Sequence, residues 1–242
     1  MNISHNELVV MCSKAFAGLH RYNGEADIIA NMVADLEMVG LHGIDHFINA
    51  LALLAHEQDY PVEITTETAQ QVTVDLHGYS ILCHLPILLD YTVEKLTFQS
   101  QVILNIEQCH NRWLAFSELI KLSNIGLSVR AYWFNPLASH HVTYILNAGQ
   151  ILPEVYLYPT TLMPIKDTHI DPLHYLSIEI NKHRISLPMP SITLKHIAST
   201  TLLTTKKNTW QRGITITPTA WKTIQQFAGA ILVESNKQTY QL

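Results

Sequence analysis

The spacing of apolar residues changes twice along the chain, and this change constrains the fold more than any single motif. Residues 1–60 carry apolar side chains every three to four positions, which predicts helices. From Val62 the spacing falls to two, most clearly over residues 96–106, which predicts strands with one buried face. Helical spacing returns after Thr217-Pro218, an N-cap followed by a proline at the first helical position. This order predicts an α+β fold with N-terminal helices, a central mostly antiparallel sheet and C-terminal helices.

A chain of 242 residues can bury most of the apolar surface that its unfolded form exposes. We therefore expect one α+β domain over residues 1–242. Its parts are a helical part at 1–60, a β-rich part at 61–190 and a helix-containing C-terminal segment at 191–242.

Three helices are predicted at the N-terminus. The first begins at a capping box of Ser4 and Glu7 and is expected to turn Cys12 into the core. The second is predicted to end at Gly40, and the third to cover residues 43–56. The apolar residues that the second helix is expected to bury are Ile28, Ile29, Met32, Val33 and Leu36.

The strand predicted over residues 96–106 is expected at the centre of the sheet, with Val102 and Leu104 buried. The same alternation predicts further strands. These are residues 72–76, 127–133, 142–146, 155–158 and 176–187, the last as a hairpin that turns near Asn181-Lys182.

Composition narrows the set of partners. The net charge is -5 and the basic residues are scattered, so we expect no nucleic-acid partner. No apolar run approaches the roughly 18 residues of a membrane span, so no membrane partner is expected. Charged residues make up 14% of the chain against 48% hydrophobic, which predicts self-association and leaves a small-molecule ligand open. Leu53, beside His46 and His56 on the third helix, indicates where that contact would form.

The three cysteines, Cys12, Cys83 and Cys109, form no CxxC pair, and the N-terminus shows no secretion signal. Both features are typical of a reducing compartment, so we expect a cytoplasmic protein. Thiol–imidazole pairing across strands, Cys83 with His110 or Cys109 with His84, is one interpretation. Buried structural thiols are the other.

The glycines lie in no GxGxxG or P-loop motif, and no GxSxG motif is present. Dinucleotide-binding folds and serine hydrolases of that type are therefore disfavoured, and no cofactor is predicted. Aromatic residues at 132–134 and at Tyr156 and Tyr158 fit either ordinary sheet packing or the floor of a ligand pocket.

Residues 41–46 read Leu-His-Gly-Ile-Asp-His and contain the candidate catalytic residues His42, Asp45 and His46. Positions four apart share a helix face, so both imidazoles could bind one metal ion. The order H-x-x-D-H is similar to the H-x-x-E-H signature of inverted zinc proteases, with aspartate in place of glutamate. A zinc site needs a third protein ligand, and a polar helix face is the alternative interpretation.

A second candidate metal cluster consists of His169, Asp171 and His174, in a stretch that reads as a loop. A histidine and an aspartate two positions apart can hold one metal ion from an extended chain. Combined with His140-His141, this cluster could complete a site with His42 and His46, or it could be a polar turn.

Both ends of the chain resemble a bacterial family known only as a domain of unknown function, DUF3726. The N-terminal likeness rests on Asn6-Glu7, on Gly24-Glu25-Ala26 at the start of the second helix and on Gly40 at its end. The C-terminal likeness rests on Thr217-Pro218 and on Ala228-Gly229-Ala230, small residues that allow backbones to approach closely. The resemblance implies no reaction.

The stretch from Glu25-Ala26-Asp27 to His42-Gly43 also resembles the N-terminal helices of the malate/lactate dehydrogenases that lack a Rossmann domain. In that family Ser-His-Gly follows an Ala-Asp-rich helix. Here Leu41 replaces the serine, and the arginine expected shortly after the histidine is absent. The resemblance implies an oxidoreductase in which His42 acts as acid or base.

The residues taken together favour a homo-oligomeric binding or accessory protein without a recognisable catalytic site. The alternative is an enzyme that uses His42 and His46. It would be either a metal-dependent hydrolase or an oxidoreductase distantly like the non-Rossmann malate/lactate dehydrogenases.

Overall fold

The computed structural model describes residues 1–19, 23–57, 61–160, 172–186 and 193–230. The α-helices of this part of the chain are α1 (His5–Ala17), α2 (Asn23–Met38), α3 (Gly43–Leu54), α4 (Leu85–Glu94), α5 (Phe116–Asn124), α6 (Ser199–Arg212) and α7 (Pro218–Gly229). The strands are β1 (Asn2–Ile3), β2 (Glu63–Glu67), β3 (Gln71–Asp75), β4 (Gln101–Glu107), β5 (Ser128–Asn135), β6 (His140–Leu146), β7 (Glu154–Pro159), β8 (Leu176–Asn181), β9 (Lys195–Ile197) and β10 (Ile214–Thr215). The chain divides into two compact units, Met1–Gln58 with Thr204–Leu242, and Asp59–Leu203. None of the helices in the described ranges is long and apolar enough to cross a membrane.

The first unit contains α1, α2, α3 and α7. The predicted capping box is confirmed, because Glu7 N–H donates to Ser4 Oγ at 3.2 Å and Ser4 N–H donates to the Glu7 carboxylate at 2.7 Å. Cys12 is fully buried, as predicted. Thr217 caps α7 with its side chain, and the proline at the first helical position follows it.

Two details of the first unit differ from the sequence-based expectation. Ile28 is 38% exposed, because Ile29 and the small residues Ala26 and Ala30 occupy the buried face of α2. Close backbone approach occurs at Gly18, where a Cβ would lie 2.0 Å from the Phe227 carbonyl oxygen of α7. At Gly229, where the small residues would allow such an approach, no atom of the described residues lies within 4 Å of a Cβ.

The second unit contains an eight-stranded sheet in the order β2-β3-β4-β8-β5-β6-β7-β9. All neighbouring strands are antiparallel except β3 and β4, which are parallel. The predicted α+β fold with a mostly antiparallel sheet is therefore confirmed. β4 lies inside the sheet, and Val102 and Leu104 are fully buried, as predicted.

Two predictions for this unit are wrong in part. The strand expected at 96–106 starts only at Gln101, since Lys95–Thr97 form a 3-10 turn and Phe98 is 89% exposed. The hairpin expected at 176–187 is absent within the described residues, because β8 pairs with β4 and β5. Helices α4 and α5 lie between the strands of this β-rich segment and were not predicted from the sequence.

The two faces of the sheet differ in chemistry. On one face the rings of Trp133 and Tyr144 meet edge to face at 4.9 Å, and Phe116 of α5 packs against Tyr144 at 5.7 Å. On the other face Tyr175 Oη and Ser177 Oγ each donate to Asn105 Oδ1, at 2.6 and 2.9 Å. The aromatic segment at 132–134 therefore serves sheet packing through Trp133.

Candidate functional site

The turn between α2 and α3 forms the candidate site. At the end of α2, Leu41 N–H donates to the Leu36 carbonyl at 3.1 Å and Gly40 N–H donates to the Glu37 carbonyl at 2.9 Å. These two bonds and the left-handed Gly40, with φ of 78°, make a Schellman motif. The predicted stop at Gly40 is confirmed, and the motif fixes where the next residues leave the helix.

His42 follows this motif and is the N-cap residue of α3. Its backbone is left-handed, with φ of 57° and ψ of 44°, a conformation that costs free energy for any residue with a Cβ. Its side chain makes no capping hydrogen bond and is 77% exposed. The imidazole is therefore available to another molecule, and its backbone is strained at the same position.

Asp45 lies three residues after His42 on the first turn of α3. One of its carboxylate oxygens lies 3.7 Å from His42 Nδ1. This distance is longer than a hydrogen bond, and both side chains are largely exposed, so the contact is a weak one on the Nδ1 side of the ring.

Glu37 and His46 lie below the exposed imidazole and are mostly buried. Glu37 Oε2 accepts a hydrogen bond from Ile44 N–H at 2.9 Å. Burial raises the pKa of Glu37, while the hydrogen bonds from Ile44 and Gly43 N–H act in the opposite direction. Burial, followed by the neighbouring His42, lowers the pKa of His46 to about 4, so His46 is neutral at neutral pH.

The structure places the candidate metal ligands in different parts of the chain. His42 and His46 belong to the first unit, and His174 to the second. His169 and Asp171 lie outside the described residues. Within the described ranges, no group of three or more His, Cys, Asp or Glu side chains could hold a metal ion.

His174 forms a pair that sequence reasoning missed. Its ring lies edge to face against His110, with 4.6 Å between the ring centroids. Burial, followed by His174, lowers the pKa of His110. The two residues are far apart in sequence, and their segments meet where β4 pairs with β8, with a hydrogen bond from Cys109 N–H to the His174 carbonyl at 2.8 Å.

Cys109 is a buried structural thiol. Its Sγ donates to the Ile106 carbonyl at 3.4 Å, and burial raises the pKa of the thiol to about 12. A thiol that stays protonated is a poor nucleophile. The pairing of Cys109 with His84 is therefore not supported as a catalytic arrangement.

A shallow cleft of about 200 Å³ lies at the start of α1. It is lined by Ser4, His5, Asn6, Met38, Thr209 and Trp210, and the rings of His5 and Trp210 are 5.4 Å apart. No carboxylate or ammonium group lines it, so the turn at His42 remains the better candidate for chemistry.

The model of one family, described as "Protein of unknown function (DUF3726)", matches residues 3–79. The match includes Asn6-Glu7, Gly24-Glu25-Ala26 and the turn at His42, and it does not extend to the C-terminal residues that also suggested this family. No curated protein matches the chain.

Solved structures show the fold over nearly the whole chain. A malate dehydrogenase from Pyrococcus horikoshii is similar with a TM-score of 0.70 and 10% identity, covering 97% of this chain and 96% of that one. A dehydrogenase from Sinorhizobium meliloti gives a TM-score of 0.65 at 13% identity and covers 94% and 99%. A delta1-piperideine-2-carboxylate reductase from Pseudomonas syringae pvar. tomato gives 0.64 at 12% identity and also covers 94% and 99%.

These similarities correct the main functional prediction. A binding or accessory protein without a catalytic site is the wrong interpretation, because 94–97% of the chain shares its fold with two solved dehydrogenases and a solved reductase. The alternative, which rested on the stretch ending at His42-Gly43, agrees with this fold. Self-association through α3 stays a prediction, and Leu53, on which it rests, is half-buried.

Proposed function

We propose that the protein is an oxidoreductase that interconverts a small 2-hydroxy acid and its 2-oxo acid, or the corresponding cyclic imine and amine, with His42 as the proton donor and acceptor. The observation that carries the proposal is the exposed imidazole of His42, held in a left-handed turn on this fold. The names of the similar structures support the substrate class, since malate carries a hydroxyl and piperideine-2-carboxylate an imine beside a carboxylate.

The proton step follows from the geometry of the turn. Oxidation of a 2-hydroxy acid removes a hydride from the carbon and a proton from the hydroxyl oxygen. Nδ1 of His42 faces Asp45, so Nε2 is the nitrogen that would accept the hydroxyl proton. In the reverse direction Nε2 returns that proton to the oxygen, or to the nitrogen of an imine. Because the ring is 77% exposed, it exchanges protons with water between turnovers.

A reaction of this kind needs a hydride carrier, and dinucleotides are the usual ones. The N-terminus of a helix commonly binds phosphate through its free N–H groups. At α3 the Glu37 carboxylate already accepts from Ile44 N–H, and Asp45 adds a second negative charge to the same turn. The phosphates of a dinucleotide would therefore have to be bound by residues other than those of this turn, and we derive no step through such a carrier.

The proposal is tested by assaying the purified protein with NADH and NADPH against pyruvate, oxaloacetate and delta1-piperideine-2-carboxylate. The His42→Ala variant is expected to lose activity by about 10²- to 10⁴-fold, the usual contribution of a general acid or base. His56→Ala, which removes an exposed histidine just after α3, serves as the control and should retain activity. Wild-type protein without activity on any of these substrates, or a fully active His42→Ala variant, contradicts the proposal.

We also propose that the protein acts in the cytoplasm. The three cysteines all lie in the described ranges and form no disulfide there, which is consistent with a reducing compartment.

A further inference from the structure

We infer that Glu37 is a positioning residue for His42: its carboxylate caps α3 from the preceding helix, so that the His42 backbone is held left-handed and its imidazole stays free. The inference rests on the proposed function for its catalytic consequence. Its structural part can be tested without any activity.

The inference starts from the way the helices of the first unit are capped. The N-caps of α1 and α7, Ser4 and Thr217, are extended and accept a hydrogen bond from a backbone N–H three residues later. His42 is left-handed and makes no such bond. The first N–H groups of α3 therefore need an acceptor from elsewhere.

Glu37 provides this acceptor. Its Oε2 accepts from Ile44 N–H at 2.9 Å, and Gly43 N–H also donates to the carboxylate. A negative charge at a helix N-terminus is further stabilised by the helix dipole. The carboxylate thus does for α3 what Ser4 and Thr217 do for their own helices.

The packing around Gly43 explains how a side chain of α2 can cap α3. A Cβ at position 43 would lie 2.2 Å from the Val33 carbonyl oxygen and 2.7 Å from the Glu37 nitrogen. The start of α3 therefore lies directly on the backbone of α2, which is possible only for glycine. Because the two helices lie so close together, a glutamate side chain is long enough to reach from the backbone of residue 37 to Ile44 N–H.

The cap restrains the backbone of His42. The residue lies between two fixed points, the Schellman motif that ends at Leu41 and the capped N–H groups of Gly43 and Ile44. These contacts stabilise its left-handed backbone against the strain of that conformation. Without the cap, the first N–H groups of α3 would need another acceptor. The His42 side chain could become that acceptor, or His42 could shift to an extended N-cap conformation, and in either case the imidazole would move.

The test compares Glu37→Ala, which removes the acceptor, with Glu37→Gln, which keeps one acceptor oxygen and removes the charge. Asp35→Asn is the matched control, because Asp35 lies on the same helix and its carboxylate contacts Lys206 at 3.4 Å. We expect Glu37→Ala to lower kcat by about tenfold or more, the size of effect that misplacement of a catalytic group produces, with a smaller change in KM. Glu37→Gln should restore kcat to within about threefold of wild type, and Asp35→Asn should not change it.

A measurement that needs no activity separates the two proposals. In the His42→Gly background, position 42 adopts the left-handed conformation without strain, so loss of the cap releases no strain there. We expect the fall in Tm caused by Glu37→Ala to be larger in that background than with His42, because His42 recovers part of the loss by leaving its strained conformation. An equal fall in both backgrounds, or an active Glu37→Ala variant with wild-type kcat, overturns the positioning role. Equal losses for Glu37→Gln and Glu37→Ala also overturn it, since they assign the effect to charge. If wild type is inactive but the two falls in Tm differ as expected, only the proposed function is contradicted.

Discussion

The side chain of Asn147 pairs with the backbone of Ile185 as a neighbouring strand would. Asn147 Nδ2 donates to the Ile185 carbonyl at 3.2 Å, and Ile185 N–H donates to Asn147 Oδ1 at 2.7 Å. Both groups of Ile185 are buried there and follow β8, whose ladder has ended at Asn181. The amide thus satisfies backbone groups that the sheet no longer pairs.

This pairing predicts that Asn147→Asp destabilises the protein. A carboxylate cannot donate to the Ile185 carbonyl and would repel it, so we expect a loss of about 1–3 kcal/mol in the free energy of unfolding. Urea denaturation measures the loss. Asn124→Ala, at the exposed end of α5, is the control and should change the stability by less than about 0.5 kcal/mol. An Asn147→Asp variant as stable as wild type would show that water can replace the amide.

Gly43 and Gly229 should respond in opposite ways to alanine. A Cβ at Gly43 meets two backbone atoms of α2 at 2.2 and 2.7 Å, so the helices must separate. We expect Gly43→Ala to cost about 1–3 kcal/mol and to lower any activity that depends on His42. Gly229→Ala meets no atom of the described part of the chain within 4 Å and should be neutral or stabilising by about 0.4–1 kcal/mol. Thermal unfolding of both variants checks this, and a harmless Gly43→Ala would contradict the close packing of α2 and α3.

Leu104 and Phe98 test which part of the alternating stretch forms the core. Leu104 is fully buried in β4, whereas Phe98 is 89% exposed before the strand begins. Leu104→Ala should lower the free energy of unfolding by about 2–5 kcal/mol, since it leaves a cavity between packed side chains. Phe98→Ala should change it by less than about 0.5 kcal/mol. Similar losses in denaturant titrations of the two variants would place Phe98 in the core and contradict the observed start of β4.

Periodicity and local motifs predicted much of this fold. The capping box of Ser4 and Glu7, the stop at Gly40 and the buried face of β4 depend on residues close together in sequence, so their signals are local. Helix α4 was missed because Leu85 and Leu88 turn inward while Ile87 is 70% exposed, a pattern too short to distinguish from a strand.

The candidate site was predicted only in part for a related reason. His42 and Asp45 belong to one short motif, and the sequence singled them out. The Glu37 cap depends on a left-handed residue and on contact between two helices. Neither feature can be predicted from the spacing of residues in the sequence. The His110–His174 pair and the Asn147–Ile185 pair join segments that are distant in sequence, and such contacts follow from strand order. Strand order was the part of the topology that the sequence left open.

His46 links the stability of the first unit to pH. Burial lowers its pKa from an ordinary value of 6.5 to about 4. Between these two pH values His46 binds a proton in the unfolded chain but not in the folded protein. The stability of the folded protein is therefore at its full value above about pH 6.5, as far as His46 is concerned, and falls as the pH drops below it. Glu37 acts with the opposite sign, because burial raises its pKa and its contribution is lost as the pH rises.

The His46→Gln variant isolates the histidine from this opposing carboxyl. Between about pH 7.5 and pH 4.5, wild type should lose about 1–3 kcal/mol more unfolding free energy than His46→Gln. The reason is that His46 binds a proton in the unfolded chain over this range but stays neutral in the folded protein, whereas glutamine does not titrate. Glu37 is present in both proteins, so its effect cancels in the difference. Urea titrations of the two proteins at several pH values give this difference directly. Parallel pH profiles would mean that His46 is solvated in the folded protein, and a steeper loss for His46→Gln would reverse the sign of the linkage.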